Sequence, residues 1–410
     1  MAHFGLICPP FTAHLNSFAA LGEELVRREH RATFILNAGA MVAGTELPVA
    51  HVPARPNDPS VAEVLRHATS PTGLTGTLRT ISESAALTGQ LCAGGPALLR
   101  ELGIDVIIGD QLEPAAGLLA RAAQLPQVSI ACALPINHAP GVPLPFLDWP
   151  FDPSPRGLQR AQFAEKTGEV LSWRQRAMLI RWSKRLGFRQ TLRTPHDCLA
   201  PIQIAQVVRG FDFPRPDPLP FHAVGPLRRP VDEHGVLPFH PDASRPLVFA
   251  TFGTLQGGRV RLWRRLSDSV HAAGAKLAIA HGGLLTPAQE RKTGADHVHA
   301  FLPYRAVLRH SALCITHGGS NTILDALACG VPLLVQPFAF DQKGNLARVL
   351  HHGLGERLAT RDLSAQIRRL LADDHTRVRC HGIAQQIAAA GGTSRAADII
   401  ETALGLAVRQ

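Results

Sequence analysis

The chain has 410 residues, too many for one ordinary core and suited to two domains of roughly 200 residues each. Hydrophobic residues make up 45% and charged residues 18%, which excludes an extended disordered chain. The formal net charge of +10 permits nucleic acid, nucleotide phosphates or a lipid headgroup surface as anionic partners, without selecting among them.

The opening residues carry no basic leader and read as a first strand, His3–Cys8. A helix follows over Asn16–Arg28, with Phe18, Leu21, Leu25 and Val26 on one side, then a strand at Ala32–Leu36. After a less regular stretch come a strand at Val106–Gly109, a helix at Pro114–Ala123 and a strand at Val128–Ala131. This alternation predicts βα units on a parallel sheet. The uncharged run from Leu125 to Leu147 holds Pro126, Pro135, Pro140, Pro143 and Pro145, which excludes a spanning helix of about 20 residues. Any membrane contact is therefore expected to be peripheral. Residues 156–193 carry ten Lys/Arg opposed by Glu165 and Glu169 alone. Leu171, Met178, Leu179, Trp182 and Leu186 share one side of the helical projection. That pattern fits an interfacial helix on anionic lipid, and equally a helix packed on its own domain with a solvated basic face.

A second proline-dense region runs from Pro214 to Pro246 and includes Pro216, Pro218, Pro220, Pro226, Pro230, Pro238 and Pro241. It marks the best domain boundary. Beyond it the pattern restarts with strands at Leu247–Thr251, Lys276–His281, Leu313–Thr316 and Val331–Val335, and helices at Arg261–Ala272 and Asn321–Ala328. The expected organisation is an α/β pair of Rossmann-like, doubly wound domains facing each other across a cleft. Residues 1–213 form the first domain, 214–246 the linker and 247–385 the second domain. A helical segment, 386–410, returns toward the first. Ligands in such folds bind at the carboxyl ends of the strands. The cysteines at 8, 92, 132, 198, 314, 329 and 380 form no CxxC pair, so reduced, buried thiols are expected rather than a zinc site or disulfide framework. The 20 His include no HExxH.

The strongest local signal is Thr316-His317-Gly318-Gly319-Ser320-Asn321-Thr322. A strand ends there and a helix begins, so unpaired N–H groups and the helix dipole face any anion brought close by the glycines. A plain βα turn with a Ser/Asn cap would look the same over those residues. Two carboxylates further along the chain separate these readings. Asp325 lies one turn further, where a carboxylate can accept from ribose hydroxyls. Asp341-Gln342, just past a strand end, suits the vicinal hydroxyls of a sugar, although an Asp there could also cap a helix.

On these motifs the chain resembles nucleotide-sugar glycosyltransferases of the two-Rossmann (GT-B) type, in the UDP-glycosyltransferase superfamily. The resemblance covers nearly the whole length. It implies that Phe301 of Phe301-Leu-Pro-Tyr304 stacks on the base, where the family usually has Trp. Tyr304 stands where the family usually has Gln. It further implies diphosphate contacts from Thr254 of Phe252-Gly253-Thr254 and from His317, Gly319, Ser320, Asn321 and Thr322. Asp325 is implied at the ribose, and Asp341 and Gln342 at the donor sugar, usually glucose. In the N-terminal half it implies a catalytic His14, in Pro9-Pro10-Phe-Thr12-Ala-His14, oriented by Asp110. A neutral imidazole there can deprotonate an acceptor hydroxyl, and a carboxylate on its far nitrogen fixes the tautomer. The implied reaction is a single in-line displacement that inverts the anomeric carbon. The chain has no DxD, so neither metal nor cofactor is expected, with UDP-glucose as the donor substrate.

Longer segments narrow the acceptor. Ala131-Cys-Ala-Leu-Pro-Ile-Asn137, Phe211-Asp-Phe-Pro-Arg215, Phe221-His-Ala-Val-Gly-Pro-Leu-Arg228 and Gly253-Thr-Leu-Gln-Gly257 resemble those of bacterial zeaxanthin glucosyltransferases. That implies a hydrophobic carotenoid diol acceptor, mono- and diglucoside products, and a cytoplasmic protein at the inner face of the membrane. Phe11, Leu134 and Phe146 are the acceptor-binding candidates. Other readings are a macrolide or flavonoid acceptor, and a UDP-sugar epimerase on the same fold. A nucleic-acid binder draws only on the charge and lacks stacking aromatics, with one Tyr in the chain.

Overall fold

The structure is a computed structural model that describes residues 1–69, 73–229, 235–242 and 244–406. Pro230, with part of the proline-rich stretch, and the last four residues of the predicted C-terminal segment lie outside the described residues. The N-terminal lobe runs β1 (His3–Ile7), α1 (Thr12–Arg27), β2 (Arg31–Asn37), β3 (Val49–Val52), α2 (Val61–Ala68), α3 (Gly73–Leu102), β4 (Val106–Asp110), α4 (Ala115–Ala123), β5 (Gln127–Ala131), α5 (Pro155–Leu171), α6 (Trp173–Arg185), β6 (Ile202–Ala205) and β7 (His222–Ala223). The C-terminal lobe runs β8 (Leu247–Thr251), α7 (Gly253–Gln256), α8 (Val260–Ala272), β9 (Lys276–Ala280), α9 (Pro287–Thr293), β10 (His297–His299), α10 (Tyr304–Leu308), β11 (Ser311–Thr316), α11 (Ser320–Ala328), β12 (Leu333–Val335), α12 (Gln342–His351), β13 (Gly355–Arg357), α13 (Leu363–Leu371), α14 (Asp374–Ala390) and α15 (Gly392–Ala403).

Apolar strands such as β1 and β8 are buried along their whole length, as strands of a parallel sheet covered on both faces must be. The first sheet has the order β3-β2-β1-β4-β5-β6-β7 and the second β10-β9-β8-β11-β12-β13. All recorded strand pairs are parallel. In each sheet the order reverses between the first strand and the fourth, β1/β4 and β8/β11. That reversal opens a crevice at the carboxyl ends of those strands. The two-domain GT-B architecture expected from sequence is present. The first sheet runs past the expected boundary at 213, because β7 lies inside the proline-rich stretch.

The stretch after β2, read from sequence as less regular, holds β3, α2 and the 30-residue α3. Small residues that weaken the helical signal are there for close packing. A Cβ on Gly95 would stand 2.6 Å from Leu119 Cδ1, and one on Gly94 2.9 Å from Val52 Cβ. For the apolar side of the basic 156–193 segment, the second of its two readings holds. Leu179 and Trp182 are buried with Leu91, Leu118 and Leu119, and Met178 and Leu186 pack against them. This side is therefore used within the lobe, not at a lipid surface.

The lobes share a core in which Leu134, Val207, Phe211 and Phe221 meet Phe249, Ile383 and Ile387. Helix α15 returns to α1, where Arg28 bonds Asp398 at 2.7 Å and Glu401 at 2.6 Å.

Candidate active site

Helix α1 begins at Thr12, ahead of the expected Asn16, so His14 sits in its first turn and not in the preceding loop. The backbone bonds of His14 N–H and Leu15 N–H to Phe11 C=O, 2.9 and 3.0 Å, hold that turn. Asp110 is the last residue of β4, next to β1 across the crevice. Its Oδ2 lies 2.7 Å from His14 Nδ1, and its Oδ1 accepts from Leu112 N–H at 2.8 Å. An ionised carboxylate only accepts, so Nδ1 carries the proton and Nε2 keeps its lone pair. Burial works to lower the His14 pKa, but the Asp110 charge and hydrogen bond, together with the charge of Asp341, outweigh it and raise the pKa above the ordinary value. Asp341 belongs to the other lobe, so His14 lies close to the C-terminal half. Cys132 brings its sulfur to the pair, with the three ligand-type atoms within 4.8 Å of one another. Burial, then the Asp110 charge, push its thiol well up, so it is present as neutral S–H. No sequence spacing could have announced this trio, because it is drawn from the first turn of α1, the end of β4 and the residue after β5.

The second crevice holds the diglycine turn. Gly318 has φ +92°, and a Cβ there would stand 2.8 Å from Val335 Cγ1. A Cβ on Gly319 would meet His317 Nε2 at 2.6 Å. Glycine is thus required at 318 by both backbone conformation and space, and favoured at 319 by space alone. Gly319 is the N-cap of α11 and supplies no side chain to the first-turn N–H groups, which leaves them to an incoming anion. His317 lies against Gly253, the start of α7, where a Cβ would be 3.0 Å from His317 Cε1. Thr254 is in the same short helix. Burial pushes His317 down to about 4, with a backbone hydrogen bond at Thr251 opposing weakly. It is a neutral imidazole near pH 7.

Other predicted donor residues are more constrained than the sequence suggested. Ser320 Oγ donates to Asp341 Oδ2 at 2.7 Å. Asp341 stands at the N-cap of α12, yet its side chain makes no capping bond. Asn345, one turn on and missed from sequence, donates to Gly318 C=O at 2.9 Å and to Asp341 Oδ2 at 3.0 Å. It ties the turn to Asp341, and its spacing from Asp341, one helical turn, was the available signal. Gln342 is buried, and its Oε1 accepts from Phe338 N–H at 2.7 Å and Ala339 N–H at 2.8 Å. Only its amide nitrogen can serve a sugar. Thr322 is buried beneath the turn. The side chain of Asn321 does not face the turn; it donates to Ala13 C=O of the other lobe at 3.0 Å. Asp325 is bound to Arg228 Nε at 2.8 Å. Tyr304 is turned inward, its hydroxyl 2.7 Å from Thr251 Oγ1. Phe301 is 67% exposed and lies beside Gly283, an open aromatic face.

Residues 243–372 match the family described as UDP-glucoronosyl and UDP-glucosyl transferase. The chain is 38% identical to the zeaxanthin glucosyltransferase of Pseudescherichia vulneris, covering 98% of both chains. The chain belongs to this glycosyltransferase family. The zeaxanthin glucosyltransferase of Pantoea ananas is 37% identical, over 98% of this chain and 96% of that one. Among solved structures, the calicheamicin glycosyltransferase CalG4 superposes with a TM-score of 0.74 at 22% identity, covering all of both chains, a likeness of fold.

Of this glycosyltransferase's acceptor candidates, Phe11 has its ring 6.2 Å from that of His14 and 6.0 Å from that of Phe340 across the lobes. Phe340, with φ +56°, was not singled out from sequence. Phe146 is half exposed and lies near Gly168 of α5. Leu134 is sealed in the interlobe core against Gly344. It does not line an open surface.

Proposed function

We propose that the enzyme is an inverting, metal-independent glucosyltransferase that moves glucose from UDP-glucose to the hydroxyls of zeaxanthin. The observation that carries this reading is the His14–Asp110 pair, 2.7 Å apart, with its imidazole within the field of Asp341 beside the diglycine turn. His14 Nε2 takes the proton of the acceptor hydroxyl as its oxygen forms the new bond to C1 of the sugar. The C1–O bond to the diphosphate breaks from the opposite face, and UDP leaves with the electron pair. Asp110 holds the imidazolium that results. Charge developing on the leaving diphosphate is met by the first-turn N–H groups of α11 and the neutral His317. Phe301 stacks on the base. Asp341 and the Gln342 amide nitrogen bind glucose hydroxyls, and Phe11 lies on the acceptor side. Full-length identity to two zeaxanthin glucosyltransferases supports the acceptor.

Such an acceptor is dissolved in a bilayer. The face suited to that surface is the outer side of α5 and the start of α6, where Phe163, Val170 and Trp173 are 70%, 71% and 57% exposed. They stand among exposed Arg156, Arg160, Lys166 and Arg174. Aromatic and basic residues together fit peripheral binding to anionic lipid, at about 1 kcal/mol per basic residue.

The test is chromatography of products from purified protein, UDP-glucose and zeaxanthin, with and without chelator. Mono- and diglucoside in equal yield under both conditions are expected. Loss of product on chelation would remove metal independence. UDP release without a carotenoid glucoside would remove the acceptor. Cosedimentation with phosphatidylglycerol vesicles, lost in Trp173→Ser with Phe163→Ser, tests the membrane face.

A further inference from the structure

Gln206 follows β6 and is buried between the lobes. Its amide is fully used. Nε2 donates to Ser17 Oγ at 2.8 Å and Cys132 C=O at 3.2 Å. Oε1 accepts from Leu227 N–H at 2.7 Å and Arg228 Nη1 at 3.1 Å. A flipped amide would set its oxygen against the Cys132 carbonyl and its NH2 against the Leu227 N–H, so only one orientation is satisfied.

The chain of bonds closes on itself. Ser17 Oγ donates to Ala13 C=O at 3.2 Å, and the same carbonyl accepts from Asn321 Nδ2 at 3.0 Å. Arg228 Nη2 returns to Asn321 C=O at 3.1 Å, while its Nε holds Asp325 at 2.8 Å. Asn321, Ala13, Ser17, Gln206 and Arg228 thus form one ring across the two lobes. It passes through the residue before His14 on one side and the first turn of α11 on the other. Arg228 itself is tied to the returning helix: its N–H donates to Thr393 Oγ1, and its C=O accepts from that hydroxyl, both at 2.9 Å.

We infer that Gln206 and Arg228 are positioning residues that set the distance between the base on α1 and the diphosphate-binding start of α11. The inference rests on the reading of His14 as the base. Its physical ground is that a closed ring of hydrogen bonds, with Gln206 and Ser17 fully buried at its inner end, ties the two lobes into one low-energy geometry. Displacing reacting groups by about 1 Å costs on the order of 10²-fold in rate. Neither residue touches a reacting atom in this arrangement. Both groups they join do.

The experiment compares Gln206→Leu, Arg228→Met and the conservative Arg228→Lys with the parent enzyme. Measured are kcat, KM for both substrates, UDP affinity and thermal midpoint. Gln206→Leu is expected to lower kcat roughly 10²-fold while UDP affinity changes less than about threefold. Arg228→Lys, which retains the charge beside Asp325, is expected to recover part of the kcat lost in Arg228→Met. In a double-mutant cycle, Gln206→Leu with Asn321→Ala should lose less than the product of the single losses, because the second cut opens a ring already open. Multiplicative losses, or a kcat loss matched by an equal loss of UDP affinity, would overturn the inference. So would normal kcat in Gln206→Leu. Retained turnover in His14→Ala would instead overturn the reading on which it rests, so the two failures are distinguishable.

Discussion

Each lobe presents one histidine at the crevice where its strand order reverses. His14 follows β1 and meets the end of β4; His317 follows β11 and lies against the turn after β8. Both rings stand at a switch point, but in exchanged positions, His14 after the first strand of its sheet and His317 after the fourth of its own, and their electrostatics are opposite. At β4 the strand ends in a carboxylate, so the His14 pKa is raised above its ordinary value despite burial. At β8 the corresponding strand ends in Thr251 and is followed by Gly253. No charge there offsets burial; a backbone hydrogen bond at Thr251 opposes it without overcoming it, and His317 falls to about 4. A repeated fold thus supplies two sites for an imidazole, and the neighbour on the adjacent strand decides whether its proton affinity rises or falls.

The sharpest way to break this comparison is to remove each ring in turn. His14→Ala should lower transfer by about 10³-fold or more and leave UDP affinity nearly intact, checked by product formation and by titration calorimetry with UDP. Near-normal turnover would take the base elsewhere. His317→Ala should lower kcat by about 10²-fold and weaken UDP binding with it, because it acts on the leaving group's side. A variant with intact UDP affinity would separate His317 from the diphosphate.

The pH profile tests the electrostatic half. A base with a raised pKa is protonated on the acid side, so kcat/KM should climb as pH rises through a value above 6.5 and then level off. His317, already neutral, should add no limb between about pH 5 and 9. Asp110→Asn removes the charge that favours the imidazolium. The His14 limb should therefore move to lower pH, and the plateau should fall about 10²-fold or more as the tautomer is lost. A limb that stays in place would show that Asp110 does not control the proton on His14.

The two lobes also differ in how much could be read from sequence. The C-terminal site was largely contiguous: β11, the diglycine turn and α11 run directly on from one another, so their spacing carried the geometry. What the spacing could not show is the partner of Asp325, because Arg228 lies 97 positions away. The N-terminal site is assembled from strand ends far apart in the chain. His14 and Asp110 came from the family resemblance, while Ser17, Cys132 and Gln206 left no local trace. The long α3 was hidden by the glycines its packing demands. The apolar side of α6 was visible, but periodicity alone does not say what a face is packed against.

Donor selectivity gives a smaller effect. Asp341 is held by Ser320 and Asn345, so Asp341→Asn should preserve the fold of the turn while weakening discrimination between glucose and galactose donors about tenfold, measured as a ratio of kcat/KM values with the two UDP-sugars. Unchanged discrimination would remove it from the sugar site.

The smallest effect belongs to Phe301. Its ring is largely exposed and is fixed by little besides the surface at Gly283, so stacking there competes with solvent and gains less than in a closed pocket. Phe301→Ala should weaken UDP binding by about 1 kcal/mol, at the low end for an aromatic platform, with kcat at saturating donor unchanged. Phe301→Trp, with a larger face, should restore or exceed the parent affinity. Equal UDP affinity in all three proteins would mean that the base lies elsewhere. Because this ring carries neither charge nor titratable group, its loss should also leave the pH profile where it was, which separates holding the nucleotide from moving the proton.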